Sequence, residues 1–196
     1  MSRIQPLDAD SVPGLREKLK VVESMLGFVP NSTLIMARRP ELLAAFQQLA
    51  AATLGPGRVD AGLKVLVGHV ASRAAGCRYC IAHTGHIAER RNVSAAKIEA
   101  VWDFERSALF TPAERAALAF AQAAGAVPNA VEDSDFAALR KHFDEEQIVE
   151  LLGVVALYGF LNRWNDSLGT TLESQPRDFA ERHLAPSGWS AGKHGS

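Results

Sequence analysis

Cysteine is nearly absent: the 196-residue chain carries two, Cys77 and Cys80. That excludes a multi-disulfide scaffold of the secreted kind. An excess of either charge is missing as well, with 21 Lys and Arg against 22 Asp and Glu and a pI near 6.6. Nothing in that balance draws the chain to nucleic acid or to an anionic membrane. Long apolar runs are also lacking. The longest, Leu151 to Leu161, stops at Asn162-Arg163 and is about half the length that spans a bilayer. The opening residues, Met-Ser-Arg-Ile-Gln-Pro, lack the apolar core of a secretion signal. These absences lead to the expectation of a soluble, cytoplasmic protein with neither nucleic acid nor membrane as a partner. Runs of alternating β-branched residues bounded by turn pairs are missing too, so no strand is expected.

What remains is helical. Pro13 sits well in the first turn of a helix to about Met25, with Gly27 as its stop. Asn31 is placed to cap a short helix to Arg38, and Pro40 opens another that fades before Gly55-Pro56-Gly57. That turn divides an N-terminal helical arm, residues 1–55, from a core, residues 56–185. In the core, Val59, Leu63, Leu66, Val67 and Val70 recur at helical spacing up to Ala75, where Gly76 breaks the chain. A second helix then runs from Cys77 to about Arg91, ending at Asn92. Ser94 caps Ala95–Phe104, and Thr111-Pro-Ala-Glu114 combines a capping box with proline at the first helical position. Asp144 caps a long final helix through Leu161, with a break expected near Gly159. Residues 186–196 are small and polar and are expected to be disordered.

A two-fold internal repeat is visible in the core. Sliding Asp60–Thr84 onto Glu145–Gly169 matches Leu66 with Leu151, Gly68 with Gly153, Val70 with Val155, Ala71 with Ala156 and Arg78 with Arg163. The cysteines fall on Asn162 and Asn165. The repeat predicts two similar helical hairpins, one carrying thiols and one structural.

In a reducing compartment, Cys77-Arg-Tyr-Cys80 reads as a redox pair or a metal site. Thiolate is the reactive form, and a helix N-terminus favours it. With Gly76 as the break, both cysteines lie in the first turn, and the dipole alone favours Cys77. Cys80 has His83 one turn on, with Thr84 on the same face. A neighbouring imidazole can take the thiol proton and return it to a leaving oxygen. If the preceding helix folds back as a hairpin, His69 is a third proton-transfer group that could approach the pair. A thioredoxin-like arrangement would need a strand before the motif. For a metal, Cys77, Cys80, His83 and His86 form a tempting run, but steps of three drift by about 60° each on one helix. His86 then points away from Cys77, leaving open a site that uses His69 instead. Also open is a packing role, since free cysteines behave as small apolar residues. The preferred reading requires neither metal nor cofactor.

The segments Ala75-Gly-Cys-Arg-Tyr-Cys-Ile-Ala-His-Thr84, Val93-Ser-Ala-Ala-Lys-Ile98, Leu109-Phe-Thr-Pro-Ala-Glu-Arg-Ala-Ala-Leu118, Ile148-Val-Glu-Leu151 and Tyr158-Gly-Phe-Leu-Asn-Arg-Trp-Asn-Asp-Ser-Leu-Gly169 occur in this order. With them the chain resembles the alkylhydroperoxidase D / carboxymuconolactone decarboxylase superfamily, in its peroxidase-related branch, from about Gly27 to Glu173. The resemblance implies an all-α, AhpD-like fold and obligate homo-oligomers, commonly trimers or hexamers. It further implies a peroxide as substrate and a dithiol or protein reductant as partner. Carried over by motif, Cys80 is the peroxidatic residue that becomes a sulfenic acid, and Cys77 resolves it to a disulfide. Two positions depart from the family pattern. Thr84 stands where the relay histidine belongs, and Val65 where the relay glutamate belongs. His83 and His69 are the expected stand-ins. A lyase acting on a carboxylated lactone and a catalytically idle helical oligomer are the alternatives.

Among the remaining polar residues, His86 reads as a surface or hydrogen-bonded histidine, and His142, His183 and His194 as chemically idle. Tyr79, Trp164 and Phe160 read as core, with Tyr79 also able to line a pocket. Glu105 and Glu114 read as caps or surface charges. Asn162, Arg163, Asn165 and Asp166 form a polar cluster in an apolar helix, where burial demands partners. Structural hydrogen bonds or a subunit contact are expected of them.

Overall fold

The computed structural model describes residues 1–195, and among these there is no strand. The helices follow in order: α1 (Leu15–Leu26), α2 (Asn31–Met36), α3 (Pro40–Leu54), α4 (Ala61–Ala74), α5 (Arg78–Arg90), α6 (Ala95–Glu99), α7 (Pro112–Gly125), α8 (Asp133–Leu139), α9 (Glu145–Leu168) and α10 (Ser174–His183). Single 3-10 turns occupy Ala100–Asp103, Ala185–Ser187 and Gly192–His194. The all-α expectation holds.

Local chemistry explains most boundaries. Asp60, Ser94, Thr111 and Asp144 each accept the backbone N–H three residues on, and Thr111 and Asp144 complete capping boxes with Glu114 and Gln147. Gly76 and Asn92 take left-handed φ values of 76° and 61°, which ends α4 and α5 in the expected places. Other boundaries differ. Helix α1 starts at Leu15, after Gly14 in the left-handed region, rather than at Pro13. Pro30, not Asn31, precedes α2, because the Asn31 amide is turned to donate to the Thr171 carbonyl at 2.9 Å.

Helix α4 is the hub. Eleven of its fourteen residues are buried, because α5, α7 and α9 all pack against it. Close approach is paid for in glycine: a Cβ on Gly68 would lie 2.3 Å from Cε2 of Tyr158 in α9. Lys64 is buried in the same helix and held by Glu150 of α9 at 2.8 Å, with the Thr53 and Gly55 carbonyls accepting its remaining protons at 3.2 Å. One ammonium thus joins the end of α3 to α4 and α9. The arm packs its own small core, with Leu15, Leu19, Met36 and Leu43 at its centre and Trp164 of α9 against it.

Three expectations need correction. The final long helix does not break near Gly159 but runs unbroken to Leu168, and α10 follows it. The repeat therefore does not produce two hairpins. The first copy turns at Gly76; the second has Leu161 at that place and continues as helix, since a left-handed Leu would cost about 1–2 kcal/mol. The tail is not loose either. Residues 185–195 lie back across the N-terminal end of α5. His194 is fully buried there, its Nδ1–H donating to the Thr170 carbonyl at 2.7 Å, and the Trp189 indole N–H donates to the Arg78 carbonyl at 3.1 Å. Ser196 lies outside the described residues.

Candidate active site

The left-handed turn at Gly76 aims Cys77 into the N-cap position of α5. Cys77 Sγ accepts the Cys80 backbone N–H at 3.4 Å, and its carbonyl accepts the Ile81 N–H at 3.0 Å. The helix N-terminus therefore serves Cys77, as the dipole argument expects. Both thiols are free and buried. Cys80 Sγ receives its side-chain donor from across the core: Asn165 Nδ2–H of α9, at 3.7 Å. Burial pushes the Cys80 thiol well up, and the neighbouring Cys77 adds to this, while the Asn165 amide opposes it.

One face around from Cys80 lies a second polar group. Tyr79 and His83, one turn apart on α5, stack with centroids 4.1 Å apart. Both donate to the same carboxylate, Tyr79 Oη to Glu173 Oε1 at 2.9 Å and His83 Nε2–H to Oε2 at 2.6 Å. The Asn31 backbone N–H donates to Oε1 as well. Burial alone would raise the Glu173 carboxyl, but His83 and the donated hydrogen bonds hold it below its ordinary value. Tyr79 is pushed far up by burial and by the adjacent carboxylate. An ionised carboxylate, an imidazole and a phenol can hold and pass a proton beside the thiols.

His69 does not reach the pair. Its Nδ1 lies 2.7 Å from Thr84 Oγ1, whose own proton goes to the Cys80 carbonyl at 2.7 Å, so Nδ1–H is the donor. Its ring stacks on Trp102 at 4.5 Å, and complete burial lowers its pKa to about 3. It stays neutral near pH 7 and is placed as a structural histidine. Among the described residues no hydrogen bond joins His69 or His83 to Cys80 Sγ. The four-ligand run also disperses. His83 goes to Glu173, and His86 lies between Phe28 and Phe179 with Nε2 at 3.4 Å from the Leu26 carbonyl. Among the described residues, no three His, Cys, Asp or Glu converge as metal ligands. A cavity of about 120 Å³ between Leu54, Val65, Ile87, Arg90 and Tyr158 borders the far end of α5. Neither cysteine lines this cavity.

Sequence reasoning missed Glu173. It precedes α10 with no motif around it, and its partners are 90 and 94 residues away. Asn165 was visible as a polar residue in an apolar helix and as the repeat counterpart of Cys80.

Similarities to known proteins bear on this arrangement. A profile of the Carboxymuconolactone decarboxylase family matches residues 40–123. The debrominase Bmp8 is 35% identical to this chain, the alignment covering 91% of it and 96% of Bmp8. The TM-score is 0.86 for apo Bmp8 and 0.87 for a cysteine-to-alanine variant in complex with 2,3,4-tribromopyrrole. The chain belongs to the alkylhydroperoxidase D / carboxymuconolactone decarboxylase superfamily. An AhpD-core, peroxidase-related protein from Ralstonia eutropha JMP134 is 27% identical with a TM-score of 0.79, covering 91% of this chain and 95% of that one. The Escherichia coli K12 protein YnjA is 34% identical over 92 residues, which is 47% of this chain and 50% of YnjA. The match thus spans half the length of that curated relative. Against the superfamily pattern, Val65 fills the relay-glutamate position with a buried hydrophobe, and Thr84 fills the histidine position with a hydroxyl committed to His69. The carboxylate of Glu173 meets α5 at Tyr79 and His83.

Proposed function

We propose that this protein is a thiol-dependent reductase whose Cys77–Cys80 pair cycles between dithiol and disulfide, with a hydroperoxide as the substrate. The observation that carries this reading is the pair of free thiols in the first turn of α5, beside a buried Glu173–His83–Tyr79 group. The Cys80 thiolate attacks the terminal oxygen of ROOH, forming a sulfenic acid and breaking the O–O bond. The departing alkoxide takes a proton from the His83 side of the site and leaves as ROH. Cys77 sulfur then attacks Cys80 sulfur, releasing water and forming the disulfide. An external dithiol or protein reductant restores both thiols.

The likeness to Bmp8 favours a second substrate for the same dithiol, a brominated pyrrole. There the Cys80 thiolate takes bromine from carbon, the carbon is protonated, and Cys77 displaces bromide as the disulfide closes. Both reactions transfer two electrons and end in the same oxidised enzyme.

The test supplies purified protein with a dithiol reductant and, in parallel, hydrogen peroxide, cumene hydroperoxide and 2,3,4-tribromopyrrole. Consumption of a peroxide, with an intramolecular disulfide seen by mass spectrometry and turnover abolished in Cys80→Ser, supports the peroxidase. Bromide release with no peroxide consumption moves the assignment to debromination. Unchanged turnover in Cys80→Ser removes both.

A homo-oligomer, trimer or hexamer, is part of the proposal. It is supported by α3, in which only Leu43 of fifteen residues is buried, and by exposed Val149, Leu152 and Phe160 on neighbouring α9. Light scattering giving a monomer mass would refute it. No helix among the described residues is long and apolar enough to cross a membrane. The proposed compartment is the reducing cytoplasm, where differential alkylation in cell extracts should find both thiols reduced.

A further inference from the structure

Cys80 is the thiol that must ionise, yet the fold gives it little help. It is 2% exposed, and its own backbone N–H is spent on Cys77 Sγ. The helix N-terminus therefore favours charge on the other cysteine. The ionisable groups that bear on it are Cys77 and Tyr79 at the start of α5, and Tyr158 and Asp166 on α9. None carries positive charge, and Asp166 is itself engaged by Lys193 of the tail at 2.8 Å.

Against these, one side chain supplies an N–H. Asn165 is 1% exposed, and its amide is fixed in orientation. One Nδ2 proton goes to the Leu161 carbonyl at 3.0 Å and the other to Cys80 Sγ at 3.7 Å. Flipping the amide would set its oxygen against that carbonyl oxygen, so the donor necessarily faces the sulfur. A buried anion without donors is strongly disfavoured, and a charge-assisted N–H is the cheapest remedy.

We infer that Asn165 is the positioning residue that favours the Cys80 thiolate when it forms, its Nδ2–H supplied across the core to the sulfur that α5 leaves without a side-chain donor. The role in turnover rests on the dithiol reading above, but the contact itself is independent of any substrate. Asn165 also occupies the place that aligns with Cys80 in the internal repeat. The second copy thus lends an amide to the thiol of the first.

The test uses Cys77→Ser protein, leaving Cys80 as the one thiol, and follows its alkylation by iodoacetamide from pH 6 to 10. Asn165→Leu and Asn165→Asp, which keep the number and branching of the side-chain heavy atoms, are compared with the parent after far-UV spectra and thermal melts establish folding. Expected in the leucine variant is alkylation about tenfold slower along the rising limb of the profile, pH 7 included, as for a thiol titrating about one unit higher, with a larger shift for aspartate. Coincident pH profiles in the folded variants would overturn the inference. Should neither variant fold, unaltered protein decides: the Asn165 side-chain amide proton, followed by NMR, must shift with the Cys80 titration midpoint. An amide signal indifferent to that titration overturns it equally. If no peroxide or bromopyrrole is reduced, the proposed function falls while these profiles still decide the contact.

Discussion

Residues 60–84 and residues 145–169 carry the same series of Leu, Gly, Val and Ala, yet the first becomes a hairpin and the second a straight helix. Among the positions where they differ, one decides the turn. Gly76 adopts φ 76° and lets α4 turn into α5, whereas Leu161 at the matching place stays helical. The turn delivers Cys77 and Cys80 to a new helix N-terminus. The straight helix instead carries Asn162 and Asn165 past the cysteines, and Asn165 touches Cys80. A duplicated pattern has thus been divided into a reactive part and a part that serves it.

The comparison can be broken at several points. The largest effect is expected at His69, whose counterpart in the second copy is the apolar Val154. With a folded pKa of about 3 against 6.5 unfolded, the unfolded chain binds the proton first as pH falls. His69 therefore contributes full stability above pH 6.5 and loses it on the way down to about pH 3, at about 1.4 kcal/mol per unit and about 5 kcal/mol in all. Urea midpoints measured from pH 7 to 4 should fall less steeply in His69→Leu than in the unaltered protein; parallel slopes would disprove this.

Next comes Lys64, the ammonium that fastens the first copy to Glu150 of the second. Lys64→Met keeps the bulk but leaves a partly buried carboxylate without its partner, at a cost of about 3 kcal/mol. Chemical denaturation measures it, and a loss below about 1 kcal/mol would mean that packing alone joins the two copies.

The finest comparison uses the paired glycines. Gly68→Ala should destabilise by about 1–3 kcal/mol, since its Cβ meets the Tyr158 ring. Gly153→Ala, whose Cβ would find its nearest atom, Thr53 Cγ2, at 3.6 Å, should stabilise α9 by about 0.5–1 kcal/mol. Equal effects at both sites would mean that the two glycines are there for the same reason, contrary to the packing described.

How much of this was legible in the sequence depends on how locally each feature is encoded. Thr111, Asp144 and Gly76 act through atoms within three or four residues, so the boundaries they set could be read directly. The thiol pair, adjacent in sequence, was equally plain. Glu173 was not, because the contact that defines it forms only when the end of α9 returns beside the start of α5. His69 misled for the converse reason: the hairpin brought it to α5 as expected, but to Thr84 rather than to the sulfur. The polar tail also misled. Small residues suggested no core of their own, yet they have one in the surface they cover.

That covering segment gives the protein a built-in optical probe. Trp189 hangs its indole N–H on the carbonyl of Arg78, inside the Cys-Arg-Tyr-Cys turn that opens α5, while Trp102 and Trp164 pack elsewhere. Closing a disulfide across Arg78 and Tyr79 moves that carbonyl, so the emission of Trp189 should change with each half-cycle. In a variant with Trp102 and Trp164 replaced by Phe, stopped-flow fluorescence should then time oxidation and reduction in single turnovers without a coupled assay. An emission signal that is the same for the dithiol and disulfide forms would show that the indole does not sense the loop.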